Sequence, residues 1–356
     1  MLKQIRSKLS FTNLVLALLG GGFLLLVVVG TIVTLSGASY TSRDWFHLLV
    51  AGLAQGSIYA LIALGYTLVY GILRMINFAH SEVYMSGALT GYFVADAFRN
   101  SFQGDNWGGF LLALLAVFLV AMLTSVIVAV LLERIAYRPL RRAPRLVPLI
   151  TAIGASYFLQ NVFRGLYGSQ NRAYPEVSLL RNDWVIWGEY TVRPIQILVI
   201  VAAGVLMVAL YVLVQLTRTG KAMRAVSEDK DAAALMGIDV DAIIVRTFII
   251  GAALAGAAGV LYALMFRQVS FSMGFVPGIK AFTAAVLGGI GNIPGAMLGG
   301  IFLGLFESVG PSLFLNGLGI PAPYQLKDVI AFSMLVLVLI FRPQGLLGER
   351  IGKAKA

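Results

Sequence analysis

A series of apolar runs, several too long for a soluble core, constrains this chain more than anything else in it. They lie at about 14–35, 45–72, 78–98, 109–133, 147–166, 195–216, 242–266, 279–291, 295–314 and 326–341. A membrane-crossing helix needs about 20 apolar residues to traverse a hydrocarbon layer about 30 Å thick. Most of these runs meet that length. Two regions read as short or broken: 78–98, and the glycine-rich stretch around Gly288-Gly289-Ile290-Gly291-Asn292-Ile293-Pro294-Gly295. The expected fold is therefore all-α, a polytopic membrane helical bundle of about ten spans including short or broken helices. The alternating strands of a membrane barrel are absent, and an open sheet edge is not tolerated in lipid. Composition agrees: charged residues make up 12% of the chain, against about 25% in a soluble domain.

The net charge of +11 does not point to nucleic acid. Lys and Arg fall mainly in short loops and at the ends, where they set orientation and meet anionic membrane lipid. The run 14–35 follows Lys3, Arg6 and Lys8 and is too long for a cleaved signal segment, so an uncleaved helix is expected. With the N-terminus inside, the inner loops are those near 74–77, 134–146, 217–241 and 292–294, with the C-terminal tail. They hold Arg134, Arg138, Arg141, Arg142, Arg145, Arg218, Lys221, Arg224 and Lys230, with Arg342, Arg350, Lys353 and Lys355 in the tail. The longest outer loop, 167–194, balances Arg172, Arg181 and Arg193 against Glu176, Asp183 and Glu189. The positive-inside bias predicts both termini in the cytoplasm. Three parts result: 1–44, a basic segment with an extra membrane helix and an outer loop; 45–348, the transmembrane domain; and 349–356, a basic tail.

The loop 218–241 carries the densest mixed charge. Ser227 can cap a helix with Glu228 and Asp229 in its first turn. Gly237 suits a helix C-terminus and Asp239 can cap the next helix. A short inner helix is expected, with Met223, Val226, Leu235 and Met236 as its apolar contacts; an ordinary orienting loop is the alternative.

Two halves of the chain also match faintly. A long helix (45–72) precedes the interrupted segment Arg74–Glu82, and a long helix (242–266) precedes Met273–Lys280. The two run in opposite directions, the mark of an inverted internal repeat with a transport path at the repeat interface.

Ionisable groups at membrane depth are expensive unless they face protein or water. Asn77, His80, Glu82, Lys280 and Glu307 are the candidates for such a path. Asn77 and His80 are three apart and share a helix face. His80 and Glu82 point about 200° apart. Glu82 is therefore expected to face protein, with Arg74 or a backbone donor as its partner. Lys280 is expected close to the outer boundary. There is no cysteine, no Walker A sequence and no metal-binding His-Glu-x-x-His pair. The chain is expected to be non-catalytic and to bind no cofactor.

Three stretches carry a resemblance: Tyr59 to Gly87, the loop 218–238, and Gly278 to Gly300. Together they resemble the LivH-like permease subunit of bacterial branched-chain amino acid ABC transporters, over about Trp45 to Gly348. Two departures stand out. The family usually has glycine where Ser81 stands, and the helix 14–35 lies outside its core. The resemblance implies a permease in the bacterial inner membrane with no ATPase of its own. It implies four partners: a second, related permease, two cytoplasmic ATPase subunits that bind the ATP, and a periplasmic solute-binding protein. It implies that the loop couples to the ATPase through Met223, Arg224, Val226, Glu228, Asp229, Leu235, Met236 and Gly237. Branched-chain or other neutral amino acids are the implied substrate. Urea or short-chain amides are the alternative, and a stand-alone transporter or channel is a third.

Overall fold

The computed structural model describes residues 11–37, 40–141, 143–144, 146–342 and 344–348. Lys3, Arg6, Lys8, Arg142, Arg145, Arg350, Lys353 and Lys355 lie outside the described residues. Every one of the ten apolar runs is a helix. In chain order these are α1 (Phe11–Ser36), α2 (Ser42–Leu73), α3 (His80–Ala97), α5 (Trp107–Leu132), α6 (Leu146–Tyr167), α7 (Pro194–Leu216), α10 (Val240–Phe266), α11 (Phe275–Gly288), α12 (Ile293–Gly310) and α13 (Lys327–Phe341). Three short helices complete the set: α4 (Arg99–Gln103), α8 (Arg218–Glu228) and α9 (Lys230–Leu235). Among the described residues, seven helices are long and apolar enough to cross a membrane. The chain is a multi-pass helical membrane protein.

Local chemistry sets the boundaries. Thr41 and Asp44 form a reciprocal capping box at the start of α2. Asn106, Asp239 and Asn292 cap α5, α10 and α12 through their side chains. Between α11 and α12 the chain reverses through Gly289 (φ 105°) and Gly291 (φ 98°), which side chains disfavour.

The internal repeat is visible in the contacts. Helix α2 corresponds to α10, α3 to α11, α5 to α12 and α6 to α13. Helix α3 packs on α5, α6 and α10; in parallel, α11 packs on α12, α13 and α2. Helix α10 packs on α5 as α2 packs on α12. Helices α5 and α12 each run into a π-helical turn and then a 3-10 turn, Glu133–Tyr137 with Arg138–Leu140 and Pro311–Leu315 with Asn316–Leu318.

The centre of the bundle is α2 and α10, sheathed by α3, α11, α12 and α5. Membrane helices attract one another chiefly through close packing, which small residues permit. Along α2, a Cβ on Gly56 would fall 2.8 Å from the Ile301 backbone, and one on Gly300 would fall 2.4 Å from that of Ala60.

The two ends of the bundle follow the loop parity read from charge. At one end, Arg74 donates to the Ser227 carbonyl (3.1 Å) and Arg138 pairs with Asp241 (3.0 Å). Arg141 joins Asp241 to the buried Glu133. Asn292 donates to the Leu347 carbonyl at the same end (2.8 Å). At the other end, β1 (Arg172–Ala173) pairs antiparallel with β4 (Gln268–Val269), and β2 (Trp184–Trp187) forms a hairpin with β3 (Tyr190–Val192). Arg267 there pairs with Glu176 (3.1 Å). Helix α1 packs on the turns that follow α12 and, among the described residues, donates from Thr34 to the Ser312 carbonyl.

Candidate functional site

The first polar region sits where α2 breaks. Arg74 ends α2 in the left-handed conformation (φ 55°), its N–H bonded to the Tyr70 carbonyl. Asn77 follows, 3% exposed, and accepts a hydrogen bond from the Tyr137 hydroxyl (2.5 Å). Helix α3 then starts at His80 with no side-chain cap, and α11 starts at Phe275 likewise uncapped. The two helix starts touch. A Cβ on Gly278 would lie 2.3 Å from that of Ser81, and one on Gly274 would lie 3.0 Å from the Glu82 carboxylate.

Glu82 thus stands beside two buried helix N-termini, whose partial positive charge favours an anion. Its Oε1 also accepts from Ser156 Oγ (3.1 Å) and Gln160 Nε2 (3.2 Å) on α6. Among the described residues Oε2 has no hydrogen-bond partner. Glu82 does point into protein, as His80 does, but Arg74 is not its partner. Arg74 remains at the bundle end on Ser227, while α3 begins deeper.

His80 is 2% exposed and meets the Tyr66 ring edge-on, with centroids 4.9 Å apart. It fills the notch left by Gly65, where a Cβ would fall 2.1 Å from its Nε2. Asn77 and His80 are both enclosed by protein, on different partners. Tyr66, beside His80, lines a small cleft with Tyr70, Ile76, Phe282, Ala285 and Ile290.

The second polar region belongs to the other repeat. Lys280 Nζ lies 2.6 Å from Glu307 Oε1 and 2.6 Å from Asp328 Oδ1. Gln55 on α2 donates to the same Glu307 oxygen (2.9 Å), and Lys327 approaches it at 3.8 Å. The side chains of Lys280 and Glu307 are 4% and 1% exposed; those of Asp328 and Lys327 are 45% and 44% exposed. Lys280 is therefore paired and enclosed by protein. Its helix starts inside the bundle against Ser81, which carries the ammonium into the interior. The two pairs differ in strength. Removing one member of a buried pair such as Lys280–Glu307 costs about 3–5 kcal/mol. A fully exposed pair contributes about 0–1 kcal/mol; Lys280–Asp328, with a buried ammonium and a carboxylate 45% exposed, stands between the two cases.

Gln55, Ser156, Gln160 and Asp328 were missed as site residues in the sequence. A lone Gln or Ser in an apolar run was the available signal, since such a group needs an interior partner. Of the seven long apolar helices, α13 and α6 are the least buried. Helix α6 exposes Asn161 and Arg164 among apolar residues such as Ile150, Phe158 and Leu166, whereas the outward residues of α5 and α7 include Leu112, Leu119, Leu123, Val201, Val205 and Val208.

The third region is the charged loop, and it differs in detail from expectation. It forms two helices. Thr217 caps α8 by accepting from the Gly220 N–H (3.1 Å). Ser227 is not a cap; it lies in the last turn and donates to the Arg224 carbonyl (2.7 Å). Asp229, with an extended backbone, ends α8 and caps α9 by accepting from the N–H groups of Asp231 and Ala232. Gly237 (φ 82°) closes α9, and Asp239 starts α10. Met223 and Val226 are buried in the chain's own core, whereas Leu235 and Met236 are 88% and 82% exposed. Arg224 bonds Gln215, and Arg224, Glu228 and Asp229 are exposed. Burial, then the nearby Arg141 and Arg74, hold the Lys230 ammonium below its ordinary value. Among the described residues no three His, Cys, Asp or Glu side chains are grouped so as to hold a metal ion.

Residues 48–339 match the family model described as branched-chain amino acid transport system / permease component. The permease protein BraD of the Pseudomonas aeruginosa high-affinity branched-chain amino acid system is 46% identical over 310 residues, covering 86% of this chain and 96% of BraD. The corresponding Escherichia coli K12 permease LivH is 42% identical over 302 residues, covering 84% of this chain and 94% of LivH. A probable branched-chain amino acid permease LivM of Methanocaldococcus jannaschii is 30% identical over 146 residues, covering 38% of this chain and 41% of LivM.

Proposed function

The chain belongs to the family of branched-chain amino acid transport permease components, and on that premise we propose that it is the membrane subunit of an ATP-driven importer. It forms the path for branched-chain or other neutral amino acids handed over by a solute-binding protein outside the inner membrane. Hydrolysis takes place on two separate ATPase subunits inside the cell, and a second, related permease completes the channel. Similarity to both LivH and LivM proteins supports that pairing.

The observation that carries this reading is the exposure of Leu235 and Met236 on a firmly seated support. Met223 and Val226 anchor α8 to the bundle, while α9 presents two large apolar side chains to solvent. An exposed apolar pair on an otherwise polar surface favours a protein partner. Because α8 and α9 join α7 to α10, a push on them reaches α10, which packs on α2, α3 and α5. A rigid-body shift of that kind switches a path between two open states.

Uptake of radiolabelled leucine against radiolabelled urea, in cells expressing the chain with the ATPases, second permease and binding protein of its own system, tests the reading. Saturable leucine uptake supports it. Urea uptake without leucine uptake overturns the substrate, and the absence of both overturns the role.

A further inference from the structure

Lys280 has two carboxylate partners of unequal permanence. Glu307 is almost fully buried and is held in place by Gln55. Asp328 is nearly half exposed and sits in the first turn of α13, the least buried of the long apolar helices. If α13 moves outward, Lys280 keeps Glu307 and is never left as an unpaired buried charge. Asp328 and Lys327 pass into water, where they are well solvated. The reverse arrangement, with Glu307 leaving, would strand the ammonium in the interior.

The other end of α13 is attached differently. Just beyond it, the N–H groups of Leu346 and Leu347 bond to the carbonyls of Leu287 and Gly288 at the C-terminus of α11 (2.8 and 3.0 Å). These backbone bonds form a fixed attachment, whereas the Asp328 end rests on its ion pair with Lys280, the longer Lys327–Glu307 approach (3.8 Å), the Ser312–Tyr324 hydrogen bond and the packing of Ile330 on Gly310. Helix α13 is thus fixed at one end and lightly pinned at the other.

We propose that Asp328 is the releasable pin of a gate: α13 swings about its Leu346–Leu347 attachment, and the Lys280–Asp328 pair breaks and re-forms while Lys280–Glu307 persists. The opening is a property of this chain alone; its use as the outer gate of a transport path rests on the function proposed above. Asp328 acts by positioning α13 and carries no substrate.

The chain has no cysteine, so one introduced thiol reports without background. Ala331, one turn below Asp328, is fully buried, and Val329 is 57% exposed. The permease, assembled with its partner subunits in nanodiscs that leave both faces accessible, is treated with a polar thiol reagent. Ala331→Cys is expected to react slowly, and adding Asp328→Asn is expected to speed it about fivefold, the upper range for an exposed ion pair. Asp328→Glu restores protection, and Lys327→Gln leaves protection intact. Val329→Cys reacts alike in every background as a control for reagent access, and Leu261→Cys, fully buried in α10, stays protected in every background, which distinguishes opening from unfolding. Unchanged protection of Ala331→Cys in Asp328→Asn overturns the proposal, as does equal release by Lys327→Gln. Neither result bears on leucine uptake by the unaltered chain, so failure here leaves the transport reading standing.

Discussion

Arg74 and Arg267 end the two long central helices in the same left-handed backbone conformation, φ 55° and φ 56°, at opposite ends of the bundle. Each N–H closes the last turn on the carbonyl four residues back, Tyr70 and Ala263. Each is followed by a helix that starts inside the bundle without a side-chain cap. The repeat thus preserves backbone geometry where side chains have diverged: one broken helix brings in Glu82, the other Lys280.

Glu82 is tied to α6 through Ser156 and Gln160. Gln160→Leu removes one donor from a buried carboxylate that already has an unpartnered oxygen. A loss of about 1–3 kcal/mol of stability is expected, read as a lower unfolding temperature of the purified permease and less folded protein in the membrane. Gln160→Leu with wild-type thermal stability would show that Glu82 is held chiefly by the helix N-termini.

The fit of His80 into the notch at Gly65 makes a paired prediction. Gly65→Ala forces a methyl group against the imidazole, and overpacking of this kind costs about 1–3 kcal/mol. His80→Ala in the same chain removes the clash and restores part of that loss. Additive destabilisation in a double-mutant cycle would contradict the contact.

Much of this was legible in the sequence. The ten runs, the two short segments and the inverted repeat follow from apolar length and glycine placement, which fix helices regardless of partners. The angle between His80 and Glu82 was expected to set one on a path and the other in protein, yet both are enclosed by protein. The partners of Glu82 were not legible, because Ser156 and Gln160 lie more than seventy residues away and only tertiary packing brings α6 to α3. The partners of Lys280 were hidden for a similar reason, since Glu307 and Asp328 reach it only through the packing of α12 and α13 on α11. In the charged loop, both Ser227 and Asp229 are competent caps. The choice of Asp229 turns on where Met223 and Val226 find the core, which pattern alone does not specify.

Orientation is open to direct test, since the parity of the loops fixes which ends go together and the charge bias predicts which faces the cytoplasm. Ala232 and Asp183 are both exposed, at opposite ends. In intact cells, Asp183→Cys should react with an impermeant thiol reagent and Ala232→Cys should react only after permeabilisation. The opposite pattern inverts the whole topology.

In the function proposed above, α9 delivers the ATPase's motion to the bundle through Leu235 and Met236. Both side chains are exposed, so Leu235→Asp and Met236→Asp should leave the permease folded and present in the membrane in normal amount. In the partner interface each would bury an unpaired charge. The decisive measurement is energy-dependent leucine uptake by the assembled importer, with co-purification of the ATPase subunits recorded on the same membranes. The account predicts that both are lost in the double variant while permease abundance holds. Wild-type uptake at normal abundance would contradict it.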